Sequence, residues 1–224
     1  MNGGFYLMNN ITFLCDKNSY LNTYKDLYAD KFKAININVT FINDSKDLPR
    51  NQIVFILSYY KILKESDLAK NLHNIVIHES NLPNGKGWSP ASWNILEGRN
   101  KLTLTLFEAN EKYDAGDIYF KDTISLSGDE LADEWREKIA LKKLDMCIQF
   151  VSNLKYYESH KTPQELTNIQ ESFYPKRTPV DSKLDVNKSI QDQFNLLRIV
   201  DNELYPAYFE LNGCEYVLKI YKSR

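Results

Sequence analysis

Short apolar runs alternate with amphipathic segments through the first half of the chain. Continuous apolar strands between helices are typical of a parallel sheet that is covered on both faces. The predicted strands are Ile11–Cys15, Ile35–Ile42, Ile53–Leu57 and Ile75–His78. Apolar residues at helical spacing predict a helix over Tyr20–Phe32. The expected fold class is α/β, with a Rossmann-like core, a mostly parallel sheet and ligands at the carboxyl ends of its strands.

The second half of the chain has longer helices and half-buried strands in place of the short apolar runs. The pattern predicts a helix from Pro90 to Leu96 that stops at Gly98, half-buried strands over Leu102–Phe107 and Ile118–Ser125, and a long helix over Glu130–Tyr157. A polar linker, Glu158–Gln170, precedes a tail with a short helix near Ser189–Arg198 and a β-hairpin over Ala207–Tyr221 that turns at Asn212–Gly213. We therefore expect a core domain over residues 1–157, followed by a linker and a small α+β C-terminal subdomain over residues 158–224.

Charge and cysteine content narrow the class of protein. Lysine and arginine number 28 against 30 acidic residues, a net charge of −2 that argues against a nucleic-acid-binding protein. Three scattered cysteines form neither a metal motif nor a disulfide framework, and no metal site is expected. With no signal-peptide pattern and no apolar run long enough to insert into a membrane, a cytoplasmic protein is predicted.

Glycine motifs for nucleotide binding are missing at the expected places. The first strand is followed by Asp16-Lys17-Asn18-Ser19 instead of GxGxxG, and the chain has no GxxxxGK[ST]. Without such a turn, the backbone cannot approach a pyrophosphate in the usual way. Dinucleotide and ATP chemistry are therefore not expected.

The chemistry-bearing residues fall between the fourth strand and the end of the Asp-Gly turn. His78 ends an apolar strand, where α/β sheets place ligands. Pro83, Gly85 and Gly87 then impose an irregular loop, and Ser89-Pro90 suits a helix start. Asp114-Ala115-Gly116-Asp117 reads as a tight turn that could aim a carboxylate at the same sheet edge.

Three motifs in this order resemble the folate-dependent formyltransferase family, which includes methionyl-tRNA formyltransferase and the sugar N-formyltransferases. They are a His-x-Ser-x-Leu-Pro-x-x-x-Gly loop from His78, a Pro-x-x-Trp-x-Ile helix from Pro90, and an Asp-x-Gly-x-Ile turn from Asp114. The resemblance implies N10-formyltetrahydrofolate as formyl donor. It also implies that His78 relays the proton of the attacking amine and that Asp114 orients the imidazole.

The resemblance also implies which residues bind the two substrates. Donor-binding residues would lie in the loop after the third strand, at Ser58, Tyr60, Ile62 and Leu63, together with Asp114. Acceptor-binding residues would be Ser80, Asn81, Lys86, Trp88, Pro90 and Tyr205. The tail segments Arg177-Thr178-Pro179 and Tyr205-Pro206-Ala207 resemble those of sugar-modifying members.

The expected function is formylation of a nucleotide-linked 4-amino-4,6-dideoxy sugar for a surface glycan such as the O-antigen of lipopolysaccharide. Two alternatives remain open: formylation of another amine, linked to tRNA or a peptide, and a non-catalytic protein that binds folate or a nucleotide sugar. The 15 tyrosines are compatible with a homodimer interface.

One position departs from the family pattern. Where the family has an asparagine two residues before the histidine, this chain has Val76. Loss of one oxyanion donor typically lowers the rate of an acyl-transfer enzyme by about 10²–10³. Asn74, Ser80 and Asn81 are the candidate replacements, and the sequence does not choose among them.

Overall fold

The structure, a computed structural model, describes residues 9–223 and is built on a six-stranded sheet. The strands of the described chain are β1 (Asn10–Leu14), β2 (Asn38–Ile42), β3 (Ile53–Ile56), β4 (His73–His78), β5 (Lys86–Gly87), β6 (Lys101–Glu108), β7 (Ile118–Ser125), β8 (Phe173–Tyr174), β9 (Ala207–Leu211) and β10 (Cys214–Leu218). The central sheet has the order β2-β1-β3-β4-β6-β7. Strands β1 to β4 run parallel, whereas β6 is antiparallel to both β4 and β7. The predicted α/β class and mostly parallel sheet are confirmed.

Helices cover the sheet and carry the chain between its strands. They are α1 (Lys25–Lys33), α2 (Glu65–Leu68), α3 (Pro90–Leu96), α4 (Ala132–Ser152), α5 (Leu154–His160) and α6 (Phe194–Ile199), with 3₁₀ turns at Tyr20–Tyr24, Ser45–Asp47, Gln164–Leu166 and Pro179–Ser182. No helix of residues 9–223 combines the length and the apolar character that a membrane span requires.

Three predicted boundaries were wrong for local backbone reasons. The helix predicted from Tyr20 starts as a 3₁₀ turn and becomes α-helical only at Lys25. The second strand begins at Asn38, because Asn36 adopts a left-handed φ of 60° and turns the chain. The long helix divides at Asn153, which ends the first segment: its ψ is 28°, and its side-chain amide donates to the Gln149 carbonyl at 3.0 Å.

Alternation along β4 divides its side chains between two layers. Ile75 and Ile77 belong to the main core beside α1 and α4, which are joined by the Tyr28 hydroxyl donating to the Ala140 carbonyl at 2.7 Å. Val76 packs into the smaller apolar clusters on the opposite face. Because successive strand residues point to opposite faces, the two residues at the end of β4 are directed to different sides of the sheet edge.

The C-terminal segment is tied to the core by a buried arginine. Arg198 is 1% exposed, accepts the Trp135 indole N–H on its carbonyl at 3.0 Å and pairs with Glu130 at 3.5 Å. The predicted hairpin is confirmed as β9 and β10, which turn through left-handed Asn212 and Gly213. The division of the chain at residue 157 stays a prediction, since α5 runs through that position.

Candidate active site

A cavity of about 460 Å³ opens at the carboxyl end of β4. Its wall is formed by the loop of residues 58–63, the end of β4 at residues 76–79, the segment 87–92, residues 107–114 and the first turns of α4. This is the sheet edge at which the parallel strands end, where a ligand was expected.

His78 and Asp114 meet at the wall of this cavity. The His78 Nδ1 atom lies 3.6 Å from Asp114 Oδ1, and both side chains are largely buried. His78 Nε2 lies 2.8 Å from the Gly85 carbonyl oxygen. A carbonyl oxygen only accepts, so Nε2 carries the hydrogen and Nδ1 of the neutral ring is the proton acceptor. Asp114 therefore faces the ring nitrogen on which a positive charge would develop.

The carboxylate of Asp114 is held by the loop around it. Asp114 adopts a left-handed φ of 48°, and its Oδ2 accepts from the Gly87 amide at 2.9 Å. The Gln164 side chain donates to the carbonyls of Asp114 and Gly116, both at 2.9 Å. Gln164, which lies in the predicted linker, thus positions the Asp-Gly turn, a role that the sequence analysis missed.

Gly116 allows this turn to lie against β6. A Cβ atom at Gly116 would stand 1.6 Å from the Glu108 carbonyl oxygen. We therefore expect Gly116→Ala to lower the free energy of unfolding by about 1–3 kcal/mol, because backbone has to move to admit the methyl group. Urea denaturation measures the change. Gly213→Ala is the comparison, because its left-handed backbone makes an alanine cost about 1–2 kcal/mol but nothing lies within 4 Å of its Cβ. A loss at Gly116 that is smaller than the loss at Gly213 would contradict the steric explanation.

The loop after β3 offers both apolar surface and free main-chain groups. Ser58 has a left-handed φ of 51° and its carbonyl accepts from the Asp16 amide at 3.2 Å. Among the described residues, the main chain of residues 59–63 makes no backbone–backbone hydrogen bond. The predicted residues Ser58, Tyr60, Ile62 and Leu63 all line the cavity. The same cavity is lined by the apolar side chains of Ile56, Val76, Phe107 and Ala109, three of which pack in one cluster with Leu63.

Aromatic rings and a lysine stand at the mouth of the cavity. Tyr60 and Trp88 stack with ring centroids 5.6 Å apart, and the Lys176 ammonium lies 4.8 Å from the centre of the Trp88 ring. Ser89 adopts a left-handed φ of 48° before Pro90 starts α3, and both residues line the cavity. Of the predicted acceptor-binding residues, Trp88 and Pro90 therefore line the cavity together with His78 and Asp114.

Four other predicted acceptor residues lie away from this cavity wall. They are Ser80, which is buried, Asn81, which accepts from the Lys121 ammonium at 2.7 Å, Lys86, which is buried in an ion pair with Glu171, and half-exposed Tyr205. Their roles in acceptor binding stay predictions.

The structure places Val76 on the cavity wall and its three candidate substitutes elsewhere. The side-chain amide of Asn74 donates to the Leu68 carbonyl at 2.9 Å, and Asn74 does not line the cavity. Ser80 and Asn81 follow His78 into the loop and do not line the cavity. The oxyanion donor that would replace the family asparagine therefore stays unassigned.

Sequence reasoning missed a charged pair beside His78. Glu79 lines the cavity, and its Oε1 lies 2.5 Å from the Nζ atom of Lys143, whose side chain is 1% exposed. Burial raises the pKa of Glu79, but the charges of Lys143 and His78 outweigh this and hold it below its ordinary value. The sequence of α4 contained a signal for this buried pair, because Lys143 continues the buried row of Trp135 and Ile139 at four-residue spacing.

A formyl transferase family model matches residues 41–151, which include His78, Asp114 and most of the cavity wall. The chain therefore carries a formyl transferase domain over these residues. A methionyl-tRNA formyltransferase of Lactococcus lactis subsp. lactis (strain IL1403) is 29% identical over 164 residues, covering 73% of this chain and 48% of that protein. The chain thus spans about half the length of that curated relative.

Two solved structures share the fold of this chain. HypX from Aquifex aeolicus, in complex with tetrahydrofolic acid, has a TM-score of 0.77 and 19% identity, with 94% of this chain and 37% of that one covered. A sugar N-formyltransferase from Shewanella sp. FDAARGOS_354 has a TM-score of 0.65 and 19% identity, with 97% of this chain and 99% of that one covered.

Proposed function

We propose that this formyltransferase moves the formyl group of N10-formyltetrahydrofolate to the primary amine of a nucleotide-linked 4-amino-4,6-dideoxy sugar, a precursor of a surface glycan. The observation that carries the proposal is the His78–Asp114 pair, 3.6 Å apart at the wall of the cavity. Acyl transfer to an amine requires a group that takes the amine proton, and an imidazole suits this role near neutral pH.

The loop of residues 58–63 and the apolar side chains that line the same cavity fit the pterin ring of the donor. A pterin has flat apolar faces and an edge of hydrogen-bonding groups. The wall of Ile56, Val76 and Phe107 matches the faces, and the unpaired main chain of residues 59–63 matches the edge. When bound, the donor supplies an activated formyl group. The folate-bound Aquifex aeolicus HypX, which shares the fold, supports the same choice of donor.

His78 and Asp114 would handle the proton released by the attacking amine. Since the Nε2 hydrogen of His78 is donated to Gly85, the amine proton would be taken by Nδ1. The resulting imidazolium lies against the Asp114 carboxylate, which stabilises the positive charge. Gly87 and Gln164 hold Asp114 in place, so this charge meets a carboxylate that needs no rearrangement.

The mouth of the cavity supports a nucleotide-linked acceptor. Tyr60, which is half-exposed and stacks on Trp88 with one face, offers its other face to a base, and Lys61 and Lys176 bring positive charge suited to a diphosphate. The Shewanella sugar N-formyltransferase, which is covered over 99% of its length, supports the same acceptor class.

A second candidate acceptor is the amine of an aminoacyl-tRNA. The curated Lactococcus lactis relative is named a methionyl-tRNA formyltransferase, and this favours the alternative. The net charge of −2 favours the smaller acceptor, because binding a tRNA backbone usually requires a basic surplus.

The decisive assay offers the protein N10-formyltetrahydrofolate together with UDP-, dTDP- and GDP-linked amino sugars or methionyl-tRNA, each in a separate reaction. Mass spectrometry detects the gain of one formyl group. We expect a formylated amino sugar, and a loss of rate on the order of 10²-fold in Asp114→Asn. Asp117→Asn is the matched control, since Asp117 pairs with Lys161 away from the cavity wall. Formylation of methionyl-tRNA alone would select the second acceptor, and no product with any acceptor would refute formyl transfer.

A further inference from the structure

Glu79 follows His78 directly and lines the same cavity, yet the proton transfer described above does not use it. Its carboxylate pairs with the Lys143 ammonium at 2.5 Å. The side chain of Lys143 is 1% exposed and that of Glu79 is 16% exposed. The pair is therefore oriented with its cation inside the core and its carboxylate at the cavity wall, so that the cavity meets the negative end.

Lys143 keeps the Glu79 carboxylate ionised but occupies only some of its hydrogen-bond acceptor positions. A buried carboxylate without a counter-ion tends to take up a proton. Here the neighbouring Lys143 and His78 hold the pKa of Glu79 below its ordinary value. An ionised carboxylate offers about four acceptor positions, and a single ammonium occupies only part of them.

The surroundings of Glu79 suit a positively charged group. Tyr20, Tyr60 and Trp135 line the same cavity, and the Arg136 guanidinium lies over the Tyr20 and Trp135 rings at 5.8 and 5.5 Å, so these aromatic faces already attract a cation. The Tyr20 hydroxyl is buried and has no hydrogen-bond partner among residues 9–223. Arg136 also lines this wall, but Asp201 balances its charge at 2.8 Å. The arginine therefore leaves the negative charge of Glu79 available to a ligand.

We infer that Glu79 binds the acceptor amine in its protonated form and selects acceptors that carry an ammonium group beside His78. This inference rests on the proposed function. An alkyl amine is largely protonated near neutral pH, so it enters the cavity as a cation. Binding makes and breaks no covalent bond. Before the attack the ammonium gives one proton to His78. After the attack the second proton passes to N10 of the departing tetrahydrofolate as the bond from N10 to the formyl carbon breaks. Glu79 thus distinguishes an amino sugar from the hydroxyl sugar of the same shape.

Calorimetry on matched ligands tests the inference without turnover. With tetrahydrofolate present, the protein is titrated with UDP-, dTDP- or GDP-linked 4-amino-4,6-dideoxy sugars and with the corresponding sugars that carry a hydroxyl at that carbon. We expect the amine to bind about 10- to 100-fold more tightly than the hydroxyl form, the range of a hydrogen bond to a charged group. Equal affinity of the two forms for the wild-type protein would overturn the inference, and this comparison requires no variant.

A double variant locates the preference at Glu79. Glu79→Gln with Lys143→Met removes the carboxylate together with its buried cation, so no unpaired charge stays in the core. We expect the amine preference to fall to about 1 while the affinity for tetrahydrofolate is unchanged. Glu215→Gln, on the exposed strand β10, is the control that keeps the preference. If the double variant does not fold, Glu79→Gln alone is used.

The outcomes separate the two proposals. Survival of the preference in a folded variant without Glu79 would overturn the inference while leaving the proposed function intact. A clear amine preference without formyl transfer to any amino sugar would count against the proposed function alone.

Discussion

Replacing His78 with asparagine is expected to lower the rate of formyl transfer by about 10²–10⁴-fold, the usual contribution of a general acid or base. The imidazole Nδ1 is the group that faces Asp114, whereas Nε2 is committed to the Gly85 carbonyl. An asparagine side chain ends at the level of the imidazole Nδ1, so it gives up the bond to Gly85, and its amide cannot accept the amine proton at neutral pH. A single-turnover assay with N10-formyltetrahydrofolate and the identified acceptor measures the effect on chemistry.

His160→Asn is the matched control for this experiment. His160 is exposed at the end of α5, where its ring stacks on Tyr156, and it does not line the cavity. Its replacement is expected to leave the rate unchanged. A His78→Asn protein that folds normally and keeps more than about a tenth of the wild-type rate would exclude His78 as the proton acceptor.

Replacing Lys143 with methionine is expected to lower the free energy of unfolding by about 3–5 kcal/mol, the typical cost of leaving one charge of a buried pair uncompensated. Glu79 would lose the ammonium that lies 2.5 Å from its carboxylate. The double variant with Glu79→Gln is expected to recover most of the loss, because neither buried charge remains. Urea unfolding at pH 7 of the two single variants and the double variant gives the coupling between them.

The pH dependence of this loss has a definite sign. The pKa of Glu79 in the folded protein lies below its ordinary value, so its ionised form stabilises the wild type above the unfolded-state pKa. That stability is lost as the pH falls through the folded-state pKa. In Lys143→Met the pKa of Glu79 is expected to rise, so the difference in stability between wild type and variant shrinks in acid.

Lys142→Met serves as the control for this variant. Lys142 lies next in sequence but forms a partly exposed ion pair with Asp122 at 2.9 Å. Surface pairs of this kind contribute about 0–1 kcal/mol. Equal destabilisation by Lys142→Met and Lys143→Met, or a double variant with Glu79→Gln that recovers nothing, would contradict the explanation by buried charge.

Local patterns were sufficient to predict most of the fold. The apolar runs that became β1, β3 and β4 are nearly continuous, and the Asn212-Gly213 turn has residues that tolerate a left-handed backbone. Errors occurred where a single residue decided the boundary, as at Asn36 and Asn153. Such residues change the backbone without changing the apolar pattern, so periodicity alone does not reveal them.

The sequence named residues for the candidate site but did not reveal the distant residues that pair with them. His78, Asp114, Trp88 and the loop of residues 58–63 line one cavity, and their roles in catalysis and binding stay predictions. Lys86 appeared equally suited to an anionic substrate, but in the structure Glu171 pairs with it. That partner is distant along the chain, and no local pattern connects the two.

The sequence by itself determined the strand order along the chain, the position of His78 at a strand end and the residues of the Asp-Gly turn, because these follow from periodicity and backbone preference. The tertiary structure decided which ring nitrogen of His78 faces Asp114, that Gln164 holds the turn, and that Lys143 lies behind Glu79. These contacts join residues that are distant in sequence, and their energies depend on burial and distance. Neither quantity is set until the chain has folded.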